Sequence, residues 1–278
     1  MALCVARHGA REDYECTKRG ENWQLTSDAK TRGGWDPPLT AEGRLQGSAL
    51  GAGLKQHLER LGLPPVSRIF SSPLTRCLQT SAAAATALGV KTIAVEPGLA
   101  EGMLEDWYRS WAIPGSDSTW GGPAHARTGT VLPPGTPLHP AALQPAVKLL
   151  HGPVEARAAL RDHDVCNVTI DTCHTPVTAP PTYQWGSFES ESALGDRMEI
   201  TLTALKARYP DQTILALSHG GPCGHTYQRL MRSDAPKVAG YTSLYVYVPS
   251  PDGTWDCPIA ADRGHLLSDS TSGLDVPR

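Results

Sequence analysis

The sequence predicts an α/β protein: a three-layer α/β/α arrangement around a mainly parallel central sheet with an antiparallel edge strand. Three observations carry this expectation. Short apolar runs alternate with helical patterns from Ala2 to about Pro97, the alternation resumes at Ser190, and two of the runs end in a histidine followed by glycine, His8-Gly9 and His219-Gly220. Apolar runs separated by helices are the signature of βαβ units, and the carboxyl ends of strands in such sheets are where chemistry is built.

Taken in order, residues 2–6 read as a buried strand. Residues 40–61 read as a helix with Thr40 as N-cap and Leu45, Leu50, Leu54 and Leu58 at roughly helical spacing. Residues 68–71 and 92–95 read as strands flanking a helix at 74–88. Between Tyr108 and Ser187 the pattern dissolves into Pro, Gly, Thr and His, apart from a helix expected somewhere in 139–161. The whole chain, 1–278, is therefore expected to be a single domain with a long irregular insertion at about 108–187. Order returns with a helix at 190–209, apolar through Leu194, Met198, Leu202 and Leu205, and a strand at 213–217. A helix at 224–231, a partly exposed edge strand at 242–248 and a loop-like tail from Pro251 complete the reading.

Composition narrows the function classes. With 278 residues and 40% hydrophobic content the chain can bury a sizeable core, and a net charge of -3 without a basic block argues against nucleic-acid binding. No apolar run approaches the roughly 18 residues of a membrane span, and the N-terminus enters the first strand at once, so a cytoplasmic protein without a signal peptide is expected. Seven scattered cysteines do not form a disulfide framework and are expected to be mostly reduced.

The chemistry-bearing residues sit where strands end. His8 and His219 each follow an apolar strand, and Arg76 lies in the first turn of the helix after a third strand, so all three should emerge on one sheet edge. Neutral imidazole is a competent nucleophile towards phosphorus, and Arg7, Arg11 and Arg76 offer planar, permanently charged forks that match phosphate oxygens. Arg76 at a helix start is hard to explain structurally, because a cation there opposes the helix dipole unless an anion joins it. His219 can donate to the same oxygens. The set describes a dianion pocket with a nucleophile at its floor, with Gly9 admitting close backbone approach.

At these residues the chain resembles the histidine phosphatase superfamily, also called phosphoglycerate mutase-like. Arg7-His8-Gly9, the stretch Ser72-Pro73-Leu74-Thr75-Arg76-Cys77-Leu78-Gln79-Thr80, and Ser218-His219-Gly220 look like its three ordered motifs. Arg7 to Arg11, Asp36-Pro37-Pro38-Leu39-Thr40, Arg76 to Thr80 and Glu96-Pro97-Gly98-Leu99 are most similar to the phosphatase domain of the suppressor of T-cell receptor signalling and ecdysteroid-phosphate phosphatase proteins. The resemblance implies that His8 is phosphorylated during the reaction and that Arg7, Arg11, Arg76 and His219 hold the phosphoryl oxygens. Glu101 takes the place of the general acid, with Glu105 and Asp106 as substitutes because Gly102 stands where the family has an aromatic residue. Asp36 and Thr40 are expected to shape a turn and a helix cap. No metal and no cofactor are implied.

The function expected on this resemblance is a phosphomonoesterase acting through a phosphohistidine, on a small-molecule or phosphoprotein ester, phosphotyrosine or another bulky ester among the candidates. Two alternatives are a cofactor-dependent phosphoglycerate mutase and a non-catalytic interaction subunit of the same fold. The family's mutases carry RHGxSxWN, whereas Ala10-Arg11-Glu12-Asp13-Tyr14 follows Gly9 here, and no motif histidine or arginine is missing as a degenerate subunit would allow. His163, Cys166, Cys173 and His174 offer zinc-type ligands, but their spacing matches no zinc motif and reads as a histidine-rich loop. Trp107, Trp111, Trp120 and Trp185 are expected to pack the insertion or line the pocket mouth, where they would select bulky esters. The 242–248 strand leaves two options, pairing with a second copy in a homodimer or cover by the C-terminal tail.

Overall fold

The computed structural model describes residues 1–32, 36–102, 168–179, 189–237 and 239–266. Among these, seven strands form one sheet in the order β4-β3-β2-β5-β1-β6-β7. They are β1 (Leu3–Arg7), β2 (Val66–Ser71), β3 (Thr92–Val95), β4 (Thr169–Ile170), β5 (Thr213–Ser218), β6 (Leu244–Pro249) and β7 (Trp255–Asp262). The five strands from β4 to β1 are parallel, and β6 and β7 pair antiparallel at one side. The helices are α1 (Glu12–Lys18), α2 (Ser27–Arg32), α3 (Ala41–Arg60), α4 (Thr75–Leu88), α5 (Glu191–Arg208) and α6 (Gly220–Leu230).

Each central strand is apolar on both faces, as a doubly covered parallel sheet requires. Ala2, Cys4 and Ala6 pack with Leu50, Leu54 and Leu58 of α3 and with Leu78, Ala82 and Ala85 of α4. Leu3 and Val5 point the other way, into Leu194, Met198, Leu202 and Leu205 of α5 and Cys223 of α6. This is the expected three-layer sandwich. No described helix is long and apolar enough to cross a membrane, and the six described cysteines are free thiols.

Several boundaries differ from expectation. Leu45 is not on the core face of α3 but 72% exposed. Gly43, Gly47 and Gly51, four residues apart, form the contact face instead: a Cβ at Gly47 would lie 3.0 Å from Ala83 Cβ and one at Gly51 2.6 Å from the Ala84 carbonyl. A helix seam of small residues buries backbone where the leucine pattern would bury side chains. The helix expected at 224–231 begins at Gly220, with Pro222 tolerated in its first turn. The 242–248 segment is neither exposed nor an edge. The tail expected to be loop-like supplies β7, which covers β6 after a turn at Asp252-Gly253 with Gly253 at φ 84. Asp256 and Pro258 take the exposed positions between Trp255, Cys257 and Ile259, and both suit an outermost strand. Helices α1 and α2 had no counterpart in the sequence reading. Within the 108–187 region, residues 168–179 are described and include β4; the 139–161 helix, the four tryptophans and His163 and Cys166 lie outside the described residues.

The seam between α3 and the loop after β1 is the tightest point near the sheet edge, because a Cβ on Gly43 would overlap the backbone of Ala10 and one on Gly9 the backbone of Gly43. Gly43→Ala should therefore destabilise the fold by about 1–3 kcal/mol through overpacking against rigid backbone, read as a lower urea midpoint with unchanged m-value.

Candidate active site

Strand register decides what meets at the carboxyl edge. Arg7 pairs with Ser218 across β1 and β5, Ser71 with Leu217 across β2 and β5, and Ser71 with Val95 across β2 and β3. All four strands stop at one level, so the next residues, His8, His219, Ser72 and Glu96, leave the sheet together.

The loop after β1 has its polar groups fixed from every side. Gly9 N–H donates to Thr80 Oγ1 at 3.0 Å, Ala10 N–H to Gln46 Oε1 at 2.9 Å, and the Ala10 carbonyl accepts from Thr40 N–H at 3.0 Å. Gly9 thus serves the packing against α3 described above, a nearer constraint than the approach to phosphate expected from sequence. His8 is 1% exposed, and its Nδ1 lies 2.7 Å from the Gly9 carbonyl. A carbonyl can only accept, so Nδ1 carries the proton and Nε2 keeps its lone pair. That lone pair receives Arg76 Nε–H at 3.3 Å. Burial, followed by the charges of Arg76, Arg7 and Arg11, holds the His8 pKa well below the ordinary histidine value.

Three guanidinium groups surround this imidazole. Arg76 is fully buried in the first turn of α4, with NH1 3.7 Å from Asp36 Oδ1. Asp36 also accepts from Thr75 N–H at 2.8 Å and from its hydroxyl, so it caps α4 from another loop while partly balancing Arg76. Thr40 is the N-cap of α3, as expected, accepting from Gly43 N–H at 2.9 Å. Burial, then Arg11, lowers the Arg76 pKa. Arg7 lies over the Tyr241 ring, 4.6 Å from its centroid, and donates to the Ala239 carbonyl. Arg11, 2% exposed, gives Nε to Asp13 Oδ1 at 2.7 Å and NH2 to Oδ2, and sits 4.5 Å over the Tyr14 ring. Burial works against its charge, and Asp13 more than offsets this, raising its pKa.

His219 faces His8 edge-on with 5.2 Å between ring centroids. Its Nε2 is 2.8 Å from Ser72 Oγ and its Nδ1 3.5 Å from Glu101 Oε2. Burial, Arg76, His8, Arg11 and Arg7 keep its pKa well below the ordinary value too. Glu101 is 5% exposed at the end of a short 3-10 turn, Pro97–Leu99. Arg197 of α5 fixes that turn by donating to the Gly98 and Ala100 carbonyls while paired with Glu189. At Gly102, where the sequence departs from the family pattern, a Cβ would lie 2.6 Å from the Leu194 Cδ2 methyl.

All six residues singled out in sequence, Arg7, His8, Arg11, Arg76, Glu101 and His219, thus come to one edge, while Glu105 and Asp106 lie outside the described residues. Sequence reasoning missed Asp13, Tyr14, Ser72 and Tyr241. Ser72 stood inside a quoted motif and one residue past a strand end, a signal that could have placed it. Glu96 proves structural, accepting from Gly98 and Val177 N–H at 3.3 and 2.9 Å and contacting His174 Nε2 at 3.1 Å. His174 therefore has a carboxylate partner, Cys173 is exposed, and no group of three or more metal-type ligands occurs among the described residues.

A family model described as histidine phosphatase superfamily (branch 1) matches residues 3–169. The chain belongs to the histidine phosphatase superfamily. No curated protein matches it. Among solved structures, the ecdysone phosphate phosphatase from Bombix mori aligns with TM-score 0.55 and 16% identity, covering 92% of this chain and 91% of that one. Bacillus stearothermophilus YhfR gives 0.54 and 17% over 95% and 98%. A Bacillus anthracis phosphoglycerate mutase gives 0.52 and 15% over 95% and 94%. At these identities the likeness speaks for the fold, a phosphoglycerate mutase-like α/β sandwich.

The buried imidazoles of this superfamily member make its stability depend on pH. Unfolded histidines titrate near about 6.5, whereas in the fold His8 and His219 titrate well below that and His265 at about 4. As pH falls below about 6.5 the unfolded chain takes up protons that the fold refuses, so stability falls by up to about 1.4 kcal/mol per pH unit for each histidine. Urea unfolding at pH 7.5 and 5.5 should show this loss, and a His8→Asn/His219→Asn double variant should reduce it to the part that His265 contributes. Equal wild-type stability at both pH values would contradict it.

Proposed function

We propose that this superfamily member is a phosphomonoesterase that needs no metal and works through a phosphohistidine at His8 Nε2. The observation that carries the reading is the geometry at His8, whose Nδ1 lies 2.7 Å from the Gly9 carbonyl and whose Nε2 faces Arg76 Nε–H at 3.3 Å, an arrangement that fits a neutral imidazole. An entering phosphoryl group takes over the Arg76 N–H, and the lone pair is then aligned on phosphorus. Nε2 attacks in line, the P–O bond to the leaving group breaks, and Glu101, in its carboxylic acid form, gives its proton to the departing oxygen. The phosphohistidine cation is eased by its Nδ1–H bond to Gly9. Water then attacks phosphorus and passes a proton to the Glu101 carboxylate, and the P–N bond breaks to restore neutral His8.

Arg7, Arg11, Arg76 and the donor face of His219 hold the equatorial oxygens, where charge accumulates in a loose transition state. Three permanent cations supply the neutralisation that a metal would otherwise give. We favour a bulky ester as substrate, of small-molecule or phosphoprotein origin. The Tyr14 and Tyr241 rings beside Arg11 and Arg7, and the likeness to a chain named as an ecdysone phosphate phosphatase, support that class.

Hydrolysis of p-nitrophenyl phosphate should survive a metal chelator and be lost in His8→Ala. Glu101→Gln should lose about 10²–10⁴-fold on an alkyl phosphate and far less on p-nitrophenyl phosphate, whose leaving group needs no proton. Chelator-sensitive turnover, a folded His8→Ala that keeps activity, or equal Glu101→Gln losses on both esters would each contradict the mechanism.

A further inference from the structure

The segment after β7 reaches back to the nucleophile through one strained residue. Thr242 is a β-branched residue at φ 54, in the left-handed region such side chains rarely adopt, and it is fully buried. Strain of that kind persists only where the surroundings impose it. The Thr242 N–H donates to the His8 carbonyl at 3.2 Å, and the adjoining Ser243 carbonyl accepts from Arg7 N–H at 3.1 Å. The same turn offers the Ala239 carbonyl and the Tyr241 ring to the Arg7 side chain. Residues 239–243 therefore hold both the backbone of the nucleophile and the guanidinium beside it.

What holds the turn is the C-terminal segment. The Thr242 hydroxyl donates to the Tyr241 carbonyl at 2.8 Å, so the contact between Thr242 Oγ1 and His265 Nε2, at 3.2 Å, is a hydrogen bond donated by the imidazole. The His265 side chain is 2% exposed, and Gly53 of α3 leaves the room for it, since a Cβ there would overlap His265. Arg263 braces the same turn, its NH1 2.7 Å from where a Cβ on Gly240 would stand.

We propose that His265 is a positioning residue for His8: its Nε2–H bond to Thr242 Oγ1 keeps Thr242 strained and its N–H fixed on the His8 carbonyl. The inference rests on reading His8 as the nucleophile. It is tested in the full chain with His265→Phe, which keeps an aromatic ring but cannot donate, and His265→Asn, whose amide can. Two readouts are taken: steady-state hydrolysis of p-nitrophenyl phosphate, and hydrogen exchange of the Thr242 amide, which needs no catalysis. His265→Phe should lower kcat about tenfold with KM within twofold and speed Thr242 exchange at least tenfold, and His265→Asn should restore both to within about threefold. Thr242→Val, which removes the acceptor, should match His265→Phe, with no further loss in the double variant. Thr242 exchange in His265→Phe equal to wild type overturns the proposal whatever the activity. So does a kcat loss that His265→Asn does not restore. A wild type without phosphatase activity whose Thr242 protection still depends on His265 overturns the catalytic reading and leaves the brace standing.

Discussion

Positive charge gathered around two buried imidazoles is the constraint on which the rest of this molecule turns. Arg7, Arg11 and Arg76 all depress the pKa of both His8 and His219. At the 3.3 Å between Arg76 and His8, protonating the imidazole would bring two like charges together at a cost of about 3–5 kcal/mol for an effective dielectric near 20. Burial and, after it, this positive charge hold both histidines well below the ordinary histidine pKa, which under the proposed mechanism leaves a lone pair for attack on His8. Among the described residues, Asp13 contacts Arg11, Asp36 contacts Arg76 and Glu101 contacts His219. Under the proposed function, a phosphate dianion would add negative charge beside all three guanidiniums.

Holding such a cluster demands rigidity, and the scaffold provides it by three separate means. Parallel register brings four strand ends to one level. Glycines of α3 let its N-terminal turn lie against the loop that carries His8, so Gln46 and Thr40 reach that loop's backbone. The turn at 239–243 closes the third side at the expense of a strained threonine, a conformation worth about 1–3 kcal/mol that the hydrogen bonds around it must offset. Arg197 holds the turn before Glu101 by donating to its carbonyls, as Thr80 and Gln46 hold the loop after His8 by accepting from the Gly9 and Ala10 N–H groups.

Much of this was legible in the sequence because it rested on short-range pattern. Apolar runs gave the strands, Thr40 and Ser190 gave the helix starts, and histidines placed one residue past a strand end announced the edge. What stayed hidden depends on partners far along the chain. The leucine pattern misplaced Leu45 because backbone, through Gly43, Gly47 and Gly51, makes the contact there. Strand β7 was obscured by the charged and proline residues that an outermost strand tolerates. The Ser72 contact to His219 and the Tyr241 ring under Arg7 join residues whose types are ordinary on the surface, and only folding gives them a role.

The central claim is that Nε2 of His8, not Nδ1, accepts the phosphoryl group, because the Gly9 carbonyl occupies the Nδ1 proton. Rapid quenching into alkali during turnover of a phosphate ester, followed by peptide mapping and phosphorus NMR of the trapped adduct, reads both residue and nitrogen. The account predicts an alkali-stable, acid-labile phosphoryl group on His8 Nε2. A label on Nδ1, on Ser72 or Cys77, or none under conditions where the ester is being hydrolysed, would contradict it.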